Sequence, residues 1–210
     1  DVYTITVYAV DEYWNKVTSG AVGNTIQITT TDPLVSPINP TTIAIDGIRN
    51  LNIRMKTPGN IHTITATDIT NTAIEPYTTG TINVVTGVYT KLQILLPGET
   101  AAPGTSTGKT GAPIPQMAGV PFNVTVNAVS ENWYIIDTVT DVVGLTSTDA
   151  NAILPTNASL TAGTQQLSIT LVTAGDRTIT AMNITDETKA SNISSSISVG
   201  TGSFVKLHVL

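Results

Sequence analysis

Apolar and polar residues alternate with a period of two through much of this chain. Tyr3, Ile5, Val7 and Ala9 interleave with Thr4, Thr6 and Tyr8, while Phe122, Val124, Val126 and Ala128 interleave with Asn123, Thr125 and Asn127. Successive side chains of an extended strand point to opposite faces, so each pattern gathers its apolar members on one face. Leu167–Leu171, Thr178–Ala181 and Ile193–Val199 continue the theme, separated by turn-forming stretches at Thr173–Asp176 and Asp186–Glu187. β-Branched residues dominate and no window sustains a helical period, which predicts little helix. Many short strands at spacings of roughly 8–12 residues predict an all-β fold of Greek-key sandwiches. Trp14 and Trp133 each follow an alternating strand, and packing into the core is their expected role.

The chain also repeats itself. Tyr3-Thr-Ile-Thr-Val-Tyr-Ala-Val-Asp-Glu-Tyr-Trp14 returns as Phe122-Asn-Val-Thr-Val-Asn-Ala-Val-Ser-Glu-Asn-Trp133. Thr63-Ile-Thr-Ala66 recurs as Thr178-Ile-Thr-Ala181, and Tyr89-Thr-Lys-Leu92 as Phe204-Val-Lys-Leu207. Three anchors in one order make a duplication, and the stretch between them is a few residues shorter in the second copy, as expected of a surface loop. The run Ala9–Asn15, the Thr-rich middle and the Gly-x-x-Thr-Ile-Thr-Ala strand of Gly175–Ala181 resemble the bacterial Ig-like repeats of large cell-surface, adhesin-type proteins. Lys91–Gly104 resembles the segment between repeats in very long bacterial arrays. The resemblance implies two tandem immunoglobulin-like sandwiches, end to end, in a stalk, adhesin or surface fibre. It brings no catalytic residues with it.

The anchors set the expected boundaries: residues 1–87 form a module lacking its own first strand, residues 88–200 a complete module, and residues 201–210 an extra strand that joins the next module or subunit. Residues 97–121, dense in Pro and Gly, are expected as an extended loop along the second module or a contact to a neighbour. An incomplete sandwich at one end and a spare strand at the other is the arithmetic of strand exchange, because an exposed sheet edge is a template for another strand. Phe204, Val205, Lys206, Leu207, His208, Val209 and Leu210 are therefore the candidate donor, and Tyr3, Ile5 and Val7 the candidate acceptor. The expected partners are neighbouring modules or identical chains in a head-to-tail array, with a host or matrix surface ligand under the adhesin reading. The sequence opens on a strand pattern at Val2 without a signal-peptide pattern, as expected of a processed chain or a piece of a longer one.

Composition narrows the chemistry. Only 11% of residues are charged, and Thr, Ser, Asn, Gly and Pro stand where a cytosolic domain carries Lys, Glu and Arg, which points to an extracellular, cell-surface location. A net charge of −6 with nine scattered Lys and Arg speaks against nucleic acid. Apolar runs are far shorter than the ~20 residues of a membrane-spanning helix, so no span is expected. Without cysteine there is no disulfide and no thiolate chemistry.

Motifs that carry catalytic chemistry are absent or out of register, and no enzyme activity or cofactor is expected. Gly104–Thr110 resembles a phosphate-binding loop but spaces its glycines by three residues instead of four, and Pro113 and Pro115 prevent a following helix. His62 and His208 lie in strand patterns without a partner at diagnostic spacing and are expected on strand surfaces. Asp11, Glu12, Asp137, Asp141, Asp149, Asp176, Asp186 and Glu187 fall near turns, where carboxylates either gather around Ca²⁺ or bond their own backbone; the second is the expected role. Asn123, Asn157, Asn183 and Asn192 each open an Asn-x-Ser/Thr sequon. The leading expectation is a structural repeat of an extracellular stalk or filament. The alternative is an adhesin or carbohydrate-binding module.

Overall fold

The computed structural model describes residues 2–19, 23–35, 38–43, 46–205 and 207, with backbone alone at Asn39. Every regular element among them is a strand, and no helix long and apolar enough to cross a membrane occurs among them. The chain divides into two compact units, Asp1–Val85 and Thr86–Leu210.

Unit 1 contains β1 (Tyr3–Tyr8), β2 (Thr25–Thr30), β3 (Ile38–Thr42), β4 (Ile48–Ile53), β5 (Gly59–His62), β6 (Ile64–Asp68), β7 (Tyr77–Thr78) and β8 (Ile82–Val84). β1 pairs antiparallel with β4; β3-β2-β6-β7 form a four-stranded sheet, and β5 pairs with β8. The predicted alternation of β1 holds for Ile5, Val7 and Ala9, turned inward, and for Thr4, Thr6 and Tyr8, exposed, but Tyr3, expected on the inward face, is exposed at the start of the strand, beyond the core that the other three meet. That core consists of Ile26, Ile28, Ile43, Ile53, Met55, Ile64 and Val84.

Unit 2 contains β9 (Lys91–Leu95), β10 (Glu99–Ala101), β11 (Lys109–Gly111), β12 (Gln116–Met117), β13 (Pro121–Val129), β14 (Val142–Ser147), β15 (Ala158–Ser159), β16 (Thr164–Thr170), β17 (Gly175–Arg177), β18 (Ile179–Asn183), β19 (Asn192–Ile193) and β20 (Ile197–Gly200). One layer is β16-β13-β9; the other joins β15-β14-β18-β19 to β12-β20-β17, because β17 runs into β18 across Thr178 alone. Leu92, Ile94, Val124, Val126 and Ile169 from the first layer meet Val143, Ile179, Ala181 and Ile197 from the second. This is an immunoglobulin-like sandwich, with β12 pairing parallel to β20 at its edge.

The duplication extends to contacts that the sequence does not advertise. In unit 1 the Asp32 carboxylate accepts the backbone N–H groups of Leu34, Lys56 and Thr57 and the Thr57 hydroxyl. In unit 2 Asp149 accepts those of Asn151, Val172 and Thr173 and the Thr173 hydroxyl. Burial opposes the charge on Asp149, but the bonds from Thr173, Val172 and Asn151 outweigh it and hold the carboxyl well below the usual range. A second pair exchanges its chemistry between copies: Asn24 donates to Asp68 at 2.6 Å in unit 1, and Asn183 donates to Asp141 at 2.7 Å in unit 2.

Two expectations fail here. Residues 97–121 are not a structureless loop: β10 and β11 form a hairpin, and β12 joins the sheet edge. The hairpin is pinned because Glu99 accepts the Leu96 N–H and the Ser195 hydroxyl and forms an ion pair with the Lys109 ammonium at 2.8 Å. His62 is not on a strand surface. It is 1% exposed, and its Nε2–H donates to the Thr57 carbonyl at 2.7 Å. Gly175 and Asp176, which the sequence assigns both to a turn and to the start of a strand, open β17.

Candidate functional site

The chemistry-bearing feature of the molecule is the edge of β1 opposite β4. In unit 2 the equivalent strand β13 is paired on both sides, with β16 on one and β9 on the other. In unit 1, β1 pairs with β4 alone among the described residues. Beside it lies an open groove of about 280 Å³ whose apolar walls include Ile5 and Val7 from β1, Ile28 from β2, Ile64 and Ala66 from β6, and Tyr77 from β7. The equivalent walls in unit 2 are Val124 and Val126, Leu145, Ile179 and Ala181, and between them β9 inserts Leu92 and Ile94, both fully buried. Unpaired backbone groups above an apolar trough are what an incoming strand satisfies.

At one end of the groove stands Trp14. It sits in a tight turn in which the Trp14 N–H donates to the Asp11 carbonyl, and the Asp11 carboxylate accepts the N–H groups of Tyr13 and Asn15. The turn forces Trp14 to φ 65°, a left-handed conformation uncommon for a bulky residue. Trp133 repeats this at φ 69° in the turn between Ser130 and Tyr134. Sequence reasoning placed both rings in the core, and the structure corrects it. Trp14 is 66% exposed, meeting Tyr77 edge to face at 5.4 Å, and Trp133 is half-buried on the flank of its unit. The reason is the turn itself, which swings the ring outward from the end of the strand.

The two tryptophans differ in what covers them. The Lys91 ammonium of β9 lies 3.4 Å from the Trp133 ring centroid and also donates to the Glu131 carbonyl. Burial pushes the Lys91 ammonium below its ordinary range. Gly108, in the β10–β11 turn, also packs against this ring, so closely that a Cβ there would collide with its Cδ2 atom. The glycine-rich stretch that mimics a phosphate loop thus contributes a flat surface to an aromatic ring. Beneath it Gln93 of β9 donates to the Gly108 carbonyl and accepts from Asn127.

The sequence-predicted acceptors Tyr3, Ile5 and Val7 all lie on β1. Of the predicted donor segment, Phe204, Val205 and Leu207 belong to no strand and are 82%, 83% and 86% exposed. Lys206, His208, Val209 and Leu210 lie outside the described residues. Trp14 and Tyr77 were missed as groove residues; the recurrence of Trp14 just past the strand was the available signal.

No three His, Cys, Asp or Glu side chains come together as metal ligands among the described residues. Asp11, Asp149 and Asp186 instead accept hydrogen bonds within their own turns, and Asp141 accepts from Asn183. Among the sequons, Asn123 and Asn157 are exposed, whereas Asn183 is buried and Asn192 accepts the Ile94 N–H.

No protein-family model matches the chain, and no curated protein matches it. Solved structures with a similar course include a beta-glycosidase from Bacteroides vulgatus, 9% identical with a TM-score of 0.41; the match covers 94% of this chain and 24% of that one. The D0-D1 domain of intimin is 13% identical with a TM-score of 0.37, covering 96% of this chain and 91% of that one. Surface layer protein SbsC, domains 1–6, is 16% identical with a TM-score of 0.36, covering 93% and 23%. This chain therefore spans about a quarter of the length of the glycosidase.

Proposed function

We propose that this chain is a structural repeat of an extracellular bacterial surface stalk or filament, linked head to tail by donation of its C-terminal strand. The observation that carries the reading is the β1 edge: the same edge in unit 2 is filled by β9, and Lys206-Leu-His-Val-Leu210 repeats the pattern of Lys91-Leu-Gln-Ile-Leu95. The low charge content and the Thr-rich and Asn-rich strands support an extracellular setting. The side chains around the groove supply hydrophobic walls and ring faces, which suits assembly better than catalysis.

Sedimentation of the full chain across a wide concentration range tests the reading. Concentration-dependent growth is expected, visible as linear particles by electron microscopy, with a chain truncated after Ser203 remaining monomeric. A full-length chain that stays monomeric throughout overturns it.

One observation favours a second reading, a carbohydrate-binding module: Tyr8, Tyr13, Trp14 and Tyr77 are each more than half exposed on unit 1. The two readings part on assembly. A sugar platform keeps Trp14 accessible, whereas a strand-receiving groove covers it.

A further inference from the structure

Resting on the strand-donation reading, we infer that the unit 1 groove is a receptor of defined register for Phe204–Leu210 of a second copy of this chain, with Trp14 as the seat for the donor's lysine. The register follows from the duplication. In unit 2, β9 runs antiparallel to β13 with Leu95 opposite Thr125, Ile94 opposite Val126, Gln93 opposite Asn127, Leu92 opposite Ala128 and Lys91 opposite Val129. The positions of β13 correspond to Thr6, Val7, Tyr8, Ala9 and Val10 of unit 1, and those of β9 to Leu210, Val209, His208, Leu207 and Lys206. The incoming strand then lies antiparallel to β1, with Leu210 opposite Thr6 and Lys206 opposite Val10.

That register sorts the donor side chains by chemistry. Leu207 and Val209 take the places of Leu92 and Ile94 and enter the trough between Val7 and Ala66. A shift of one residue would instead direct Lys206 and His208 into it, because side chains alternate between faces, so the apolar trough enforces the pairing. Lys206 takes the place of Lys91, whose ammonium sits on Trp133 and reaches the Glu131 carbonyl. Trp14 holds the same left-handed turn as Trp133, and Glu12 stands where Glu131 does. The exposed Trp14 ring is thus the counterpart of a ring that in unit 2 is already occupied by a lysine. Ile5 and Ile28 exchange one aliphatic side chain for another, Val124 and Leu145, whereas Tyr77 changes the polarity of its wall position: it stands at the place of Asn192, which accepts the Ile94 N–H, so this side of the groove offers the donor strand a ring face in place of a hydrogen-bond acceptor.

Because the chain contains no cysteine, the register can be read by disulfide trapping. Directly opposed residues of an antiparallel pair lie within the Cα separation that a disulfide bridges. Under mild oxidation the double variant Tyr8→Cys/His208→Cys is expected to form covalent dimers and longer chains that collapse on reduction, and Thr6→Cys/Leu210→Cys, on the same face, is expected to do likewise. The shifted pair Tyr8→Cys/Leu207→Cys, whose side chains fall on opposite faces, is expected to stay unlinked. Circular dichroism of the reduced variants checks that they fold, and either same-face pair suffices if the other does not. Variants that sediment as assemblies but do not link, or that link equally in matched and shifted pairs, overturn the register while leaving strand donation standing. Monomers throughout, or a bond closed within a single chain, overturn both.

Discussion

At the scale of single residues, the duplicated carboxylates are the sharpest determinants of structure. Asp149 is 3% exposed and holds four donors across two loops, so Asp149→Ala leaves three backbone N–H groups and a hydroxyl without their acceptor. The loss is expected to destabilise unit 2 by about 2–3 kcal/mol, measured by urea unfolding. The sign of its pH dependence follows from the depressed pKa. The contribution is fully present above the unfolded carboxyl value of about 3.9 and fades as pH falls below it toward the folded value. Unfolding midpoints of the native chain should therefore fall on acidification, and those of Asp149→Ala should fall less. The residue identities of these turns were legible as turn formers, but Asp32 was not singled out among them. Its partners Lys56 and Thr57 are distant in sequence, and only the packed loops bring their N–H groups to one carboxylate.

At the scale of elements, the β10–β11 hairpin shows how a stretch rich in Pro and Gly acquires structure. No alternating pattern marks Glu99–Gly111, and its strands are three residues each, held by Glu99, Lys109 and Ser195 more than by apolar burial. A periodicity argument has nothing to detect there. Gly108 matters because its φ of 74° and its contact with Trp133 both exclude a side chain. Gly108→Ala should cost at least about 1 kcal/mol for the left-handed backbone alone and should lift the hairpin from the ring. The readout is Trp133 emission in a Trp14→Phe background, expected to move to longer wavelength. Unchanged emission would mean that the hairpin does not cover the ring in solution.

At the scale of the whole molecule, the two units carry unequal cores: sixteen buried apolar side chains cluster in unit 2 and seven in unit 1, among the described residues. Stability grows with apolar area removed from water, so unit 1 should unfold at lower denaturant than unit 2, giving two transitions when Trp14 and Trp133 are followed separately. A single coincident transition would contradict that expectation. Filling the β1 groove should raise the first transition and leave the second in place, since a ligand stabilises the unit that binds it. The sequence by itself determined the all-β class, the duplication and the alternating faces of β1 and β13, because a period of two and a repeated pattern are local properties written along the chain. Only the tertiary structure decided that His62 is buried, that both tryptophans stand outside the core and that β1 borders a groove lined by the counterparts of residues that β9 packs against in unit 2. Burial and vacancy depend on which distant segments arrive at a surface, and that is set by packing across the sandwich, beyond the reach of any single window of sequence.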